Sequence, residues 1–167
     1  SVTYTPDANE TSGSTPGADY ASFTFRIVDD GGTDNGGQDT DSTVSSFIIR
    51  VTAVNDTPEA TDNSYSTAED TAVNGNAITD TSPFGADSDV DGDALTLSAS
   101  SVGTFATAAG GAITLNGDGS FTYQPPTNFN GNDSFDYTVT DGTVEDTARL
   151  LFSVAQANDP PVAVDND

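Results

Sequence analysis

The sequence predicts an all-β protein made of tandem immunoglobulin-like β-sandwich repeats of about 103 residues each. Three observations carry this expectation. Apolar residues fall in short alternating runs, among them "SFTFRIV", "FIIRVTAV", "ALTLSA", "FTYQP" and "SFDYTVT", separated by clusters of Gly, Asp and Asn. That is the pattern of strands joined by turns. The stretch "VNDTPEATDN" (54–63) returns as "ANDPPVAVDN" (157–166), with Asn55/Asn158, Asp56/Asp159, Pro58/Pro161 and Ala60/Ala163 all offset by 103. The interval so defined holds about seven short strands, the density of an immunoglobulin-like sandwich.

Taken in order, residues 1–56 read as the second half of one repeat. "VTYTP" (2–6) matches "FTYQP" (121–125), and "SFTFRIVDDG" (22–31) matches "SFDYTVTDG" (134–142), at offsets of 119 and 112. The first copy therefore has longer loops between the same strands. About three strands without the rest of a sandwich leave edges that seek partners, so this part is expected to be ordered only by packing on something else. Its loop "DDGGTDNGGQDTDS" (29–42) has irregular glycine-rich spacing and reads as solvated loop.

Residues 57–159 read as one complete repeat, with strands near 63–68, 71–74, 94–102, 111–115, 120–124, 133–140 and 144–155. The "NGDG" turn (116–119) between Ile113/Leu115 and Phe121/Tyr123 marks a hairpin. By the same period of two, Phe135, Tyr137 and Val139 face inward, as do Leu150, Phe152 and Val154. Residues 160–167 read as a linker and the start of a further repeat. The absence of Met, even at position 1, fits a piece of a longer chain.

Composition narrows the function. Three Arg (Arg26, Arg50, Arg149) stand against 27 acidic residues with no Lys or His, a formal charge of −24. Nucleic acid and anionic membrane are excluded as partners, because their affinity comes from Lys and Arg neutralising phosphates. No apolar stretch is long enough to cross a bilayer or act as a signal peptide. Without Cys there are no disulfides and no thiolate zinc sites. Without His, Cys or Lys, and with no G-x-S-x-G elbow, an enzyme is not expected. The lack of Lys also removes the Lys–Asn isopeptide cross-link, so rigidity has to come from packing and ions.

The natural counterpart of such a charge is a cation, and "ADSDVDGDAL" (86–95) is where one would sit. Asp87, Asp89, Asp91 and Asp93 alternate around Gly92, and D-x-D-x-D-G matches the opening of an EF-hand calcium loop. The second half does not match. The twelfth position, where a bidentate Glu belongs, is Ser98, and the chain runs on into a strand. The loop alone is an incomplete calcium site that needs carboxylates from elsewhere, and an acidic loop that is merely solvated is the competing reading.

With "AEDTAV" (68–73), "DSDVDGDALTL" (87–97), "NGDGSFTYQPPTNFNGNDSFDYTVTDG" (116–142) and "ANDPP" (157–161) together, the chain resembles the cadherin-like tandem repeats of giant bacterial surface adhesins, close to VCBS-type units. The resemblance implies end-to-end sandwiches in a secreted or surface-anchored protein, with Ca2+ clamped where neighbouring repeats meet. Its linker motif falls on Asn55 and Asp56, its paired aspartates on Asp87 and Asp89 or Asp89 and Asp91, and its late acid on Asp141. Asp19 would close that site from the first copy. Glu69, Asp133 and Asp159 would form the corresponding half-site at the far end. The linker "VNDTP" is shorter than the eukaryotic cadherin motif, and "NFNGNDS" stands where an acidic segment would be. The alternative is an extracellular carbohydrate- or ligand-binding module, for which Phe105 and Phe129 are the candidate exposed aromatic pair.

Overall fold

A computed structural model describes residues 3–7, 20–30, 34–36, 40, 43–81 and 83–158. The chain divides into two compact units, Ser1–Val54 and Asn55–Asp167. In the first, β1 (Ala21–Phe25) and β2 (Ser45–Ile49) form an antiparallel hairpin with Phe23 opposite Phe47. A single bridge, Val28 to Thr40, extends it. Of the three strands expected here, these two are present among the described residues; residues 3–7 carry no ladder. The reason lies in the second copy. There the strand matching residues 2–6 bonds to strands whose counterparts precede it in the repeat, not to the hairpin that follows.

The second unit holds the sandwich. Its strands are β3 (Asn63–Ala68), β4 (Val73–Asn76), β5 (Thr96–Leu97), β6 (Gly103–Ala106), β7 (Ala112–Leu115), β8 (Ser120–Gln124), β9 (Gly131–Thr140) and β10 (Glu145–Ala155). One sheet has the order β3-β10-β9-β5 and the other β4-β8-β7-β6. All neighbours are antiparallel except β3, which lies parallel to β10. The expected strand 94–102 is broken in two. Ser101 N–H bonds the Ser98 carbonyl at 2.8 Å in a short 3-10 turn (Ala99–Ser101), and Gly103, at φ +135°, turns the chain into β6 of the other sheet. Hence there are eight strands among the described residues where seven were expected.

The core is the one the period-two reading named: Ile113, Leu115, Phe121, Tyr123, Tyr137, Val139, Leu150, Phe152 and Val154 are buried. Phe135 is half-buried against them. Tyr123 stacks on Phe152 at 3.9 Å between ring centroids, and Tyr65 meets Phe121 edge-on at 4.9 Å. Pairs of this kind add about 0.5–1.5 kcal/mol beyond area burial. Phe105 and Phe129 are both half-buried against this core, with Phe105 on Phe135 at 5.3 Å, so they do not stand out as an exposed aromatic pair.

Candidate metal centre

Asp89, Asp91 and Asp93 offer carboxylate oxygens that all lie within 4.8 Å of one another. Local backbone geometry makes the cluster. Asp89 Oδ1 accepts the Asp91 N–H at 2.7 Å and the Asp89 carbonyl accepts the Gly92 N–H at 3.2 Å. Gly92 takes a φ of +80°, a left-handed turn that a side chain would strain. Unit charges 4.8 Å apart repel by about 0.9 kcal/mol in bulk water and by several times that where water is excluded. Asp89 Oδ2 is moreover buried with no hydrogen-bond partner. A carboxylate oxygen shielded from water and unpaired fits a hard cation, whose ligands are oxygens.

The linker is tied to the same place. Asp56 N–H donates to Asp91 Oδ2 at 2.8 Å, and Asn55 Nδ2 donates to Asp141 Oδ2 at 2.7 Å. Asp141 is itself fixed by the Thr143 and Val144 N–H groups on Oδ1. The Asn55 amide, followed by those two backbone donors, holds the Asp141 carboxyl below the ordinary carboxylate range. Two linker residues, the acidic loop and the turn after β9 thus share one end of the sandwich. Of the expected set, the carboxylates of Asp89, Asp91 and Asp93 are brought together; Asp56 joins them through its backbone N–H, and Asp141 is tied to the neighbouring Asn55 amide.

Asp87 is not among them. Its carboxylate turns inward, accepting the Thr61 N–H at 2.7 Å and facing the Tyr137 hydroxyl at 3.1 Å from both oxygens. Ser88 and Glu59 form a bridge beside it, so residues 87 and 88 are still extended and the turn begins only at Asp89. Burial pushes Asp87 above the usual carboxylate range, outweighing the hydrogen bonds from Thr61 and Tyr137.

The expected far-end set separates in the same way. Asp133 lies on the inner face of β9, buried, accepting from Thr107 Oγ1, the Tyr123 hydroxyl at 2.8 Å, and the Ala109 and Ser134 N–H groups at 2.7 Å. Burial raises its pKa, but these four donors outweigh it and hold the carboxyl below the ordinary range. Glu69 is also buried and accepts the Ala157 N–H at 2.6 Å, at the rim of an open depression lined by Asn128, Asn130, Gln156 and Asn158. Sequence reasoning missed Asp70 beside it, which sits at φ +58° and takes the Asn128 N–H at 3.0 Å. Asp19 and Asp159 lie outside the described residues.

Two facing β-sheets with an acidic, linker-bound end define a sandwich module of the immunoglobulin-like class. The chain belongs to the bacterial cadherin-like domain family, whose model matches residues 55–156. The match and the second compact unit begin at the same residue. Domains of this family are typically extracellular or at the cell surface. No curated protein matches the chain significantly. Among solved structures, an endo-fucoidan hydrolase of glycoside hydrolase family 107 is similar at 20% identity and TM-score 0.42, over 82% of this chain and 19% of that one. Likeness at that level does not bear on function. No helix among the described residues is long and apolar enough to cross a membrane.

Proposed function

We propose that this chain is a calcium-stiffened spacer from a secreted or surface-anchored bacterial adhesin, and that its partners are neighbouring repeats. The observation that carries the reading is the buried, unpaired Asp89 Oδ2 inside a three-carboxylate cluster that also holds the linker through Asp56. Ca2+ at Asp89, Asp91 and Asp93 cancels their repulsion and fixes the direction in which the chain enters the sandwich. Repeated along an array, that makes a rod which projects another domain away from a surface, in a role in cell adhesion or biofilm. Family membership supports the choice of ion, since cadherin-like domains generally bind Ca2+. Catalysis has no part in this reading. The carbohydrate-binding alternative is less well supported, because its candidate pair, Phe105 and Phe129, is half-buried against the core.

Extracellular calcium modules bind at about 0.1–1 mM, and saturation at one hundred times the dissociation constant stabilises by about 2.7 kcal/mol. Calorimetric titration with CaCl2, paired with melting in calcium and in chelator, tests the proposal. A binding heat in the millimolar range and a higher melting temperature in calcium are expected. No heat and an unchanged melting temperature would leave the loop as solvated surface.

A further inference from the structure

The hairpin β1–β2 repeats the hairpin β9–β10 residue for residue. Numbers differ by 112 between β1 and β9 and by 103 between β2 and β10. Under that mapping the registers coincide: Phe23 opposite Phe47 becomes Phe135 opposite Leu150, Ala21 opposite Ile49 becomes Asp133 opposite Phe152, and Phe25 opposite Ser45 becomes Tyr137 opposite Ala148. Sequence similarity alone did not require this, because register is set separately by turn length and pattern.

The two hairpins differ in what covers them. On β9–β10 the inward face is closed by the sheet β4-β8-β7-β6, and Tyr137 and Leu150 are 0% exposed. Their counterparts Phe25 and Phe47 are 43% and 53% exposed, and Phe23 and Ile27 on the same face are exposed as well. Phe23 and Phe47 stack on each other at 5.4 Å, and both remain exposed. An aromatic face of this kind on an otherwise acidic protein marks an interaction surface. Residues 3–5, which match part of β8, likewise lack the ladder that β8 receives from β4 and β7.

We propose that this face docks a polypeptide segment of the kind formed by residues 57–120, the leading part of a cadherin-like repeat. Such a segment supplies the two things the hairpin lacks. Strands like β4 and β7 pair with residues 2–6 to build the opposing sheet over Phe23, Phe25 and Phe47. A strand like β3 lies parallel along the edge of β2 away from β1, as β3 does on β10. A second copy of this chain is the poorer occupant: its own 57–120 segment already covers β9–β10, and a charge of −24 opposes self-association.

The experiment places residues 57–120 immediately ahead of Val2 in the full chain and follows amide exchange by mass spectrometry. Exchange in β1 and β2 is expected to slow about a hundredfold relative to the parent chain, with the amides of residues 3–5 newly protected. Phe25→Asp in the fused protein should return exchange to the parent rate while the melting of the Asn55–Asp167 unit stays unchanged. Unaltered exchange on fusion would overturn the proposal. So would a parent chain that already protects β1 and β2 as a monomer, or one that sediments as a dimer with the hairpin protected.

Discussion

Asp133 and Asp89 carry the same side chain in two regions of one sandwich, and their surroundings make opposite use of it. Asp133, inside, has four donors turned on its oxygens and no need of an ion. Asp89, at the linker end, holds one backbone N–H, lies within 4.8 Å of two like charges, and keeps an oxygen that is dry and unpaired. In a chain where acids outnumber bases ninefold, being acidic says little. What distinguishes a ligand from a strut is whether the protein has already satisfied the oxygen.

The largest effect should come from breaking the interior network. Asp133→Ala removes the acceptor for Thr107, Ala109, Tyr123 and Ser134, and leaving several buried donors unpaired costs about 3–5 kcal/mol. Urea unfolding of the Asn55–Asp167 unit should show that loss equally in calcium and in chelator. A loss confined to calcium buffer would make Asp133 a ligand after all and erase the contrast. The acidic loop should respond with a change of sign instead. Asp93→Asn is the simplest neutralisation, because Asp89 and Asp91 also accept backbone hydrogen bonds. In chelator it relieves repulsion and raises stability by about 1 kcal/mol; in millimolar calcium the variant should bind more weakly and melt below the parent. The same shift in both buffers would mean that no ion is involved.

How far the sequence foretold this follows from its periodicities. The sandwich was legible because alternating runs with a hairpin signal at Asn116–Gly119 leave strands little choice, and the core residues came from the same parity. That parity also held the answer for Asp133. It is two residues before Phe135 on the strand whose odd positions face inward, so its burial could have been read from "DSFDYTV" had resemblance not drawn it toward the far-end site. Asp87 was harder. Four acids at alternate positions look like one loop, and only contacts with residues far off in sequence, the Glu59–Ser88 bridge 29 residues apart and the Thr61 and Tyr137 groups, show that the first of them turns inward. The split between β5 and β6 was not visible either, since it depends on which sheet each piece joins. Nor did the sequence reveal the far-end Asp70, whose role rests on a left-handed backbone and a contact with Asn128.

Asp87 sharpens the comparison from a third side, because its burial is not matched by enough donors. The Tyr137 hydroxyl beside it also approaches the Thr61 and Ala77 carbonyls at 2.9 and 3.0 Å, and one hydroxyl proton cannot serve all these acceptors. The folded protein therefore tolerates the protonated acid better than the unfolded chain does, and Asp87 is raised while Asp133 is lowered. The signs follow. Asp87 contributes stability that is complete below the unfolded value, about pH 4, and is lost as pH rises through its raised folded value. Asp133 contributes above about pH 4, and its share is lost as pH falls through the lowered value. Asp87→Asn puts a neutral group of the same shape where the fold tolerates one; its oxygen still accepts from Thr61 N–H and its amide can donate toward the Tyr137 oxygen. In chelator, the variant should match the parent near pH 4 and exceed it by up to about 1 kcal/mol at pH 7. A variant that is weaker at pH 7 and recovers toward pH 4 would show that the ionised carboxylate is what the fold requires, and Asp87 would then belong with Asp133.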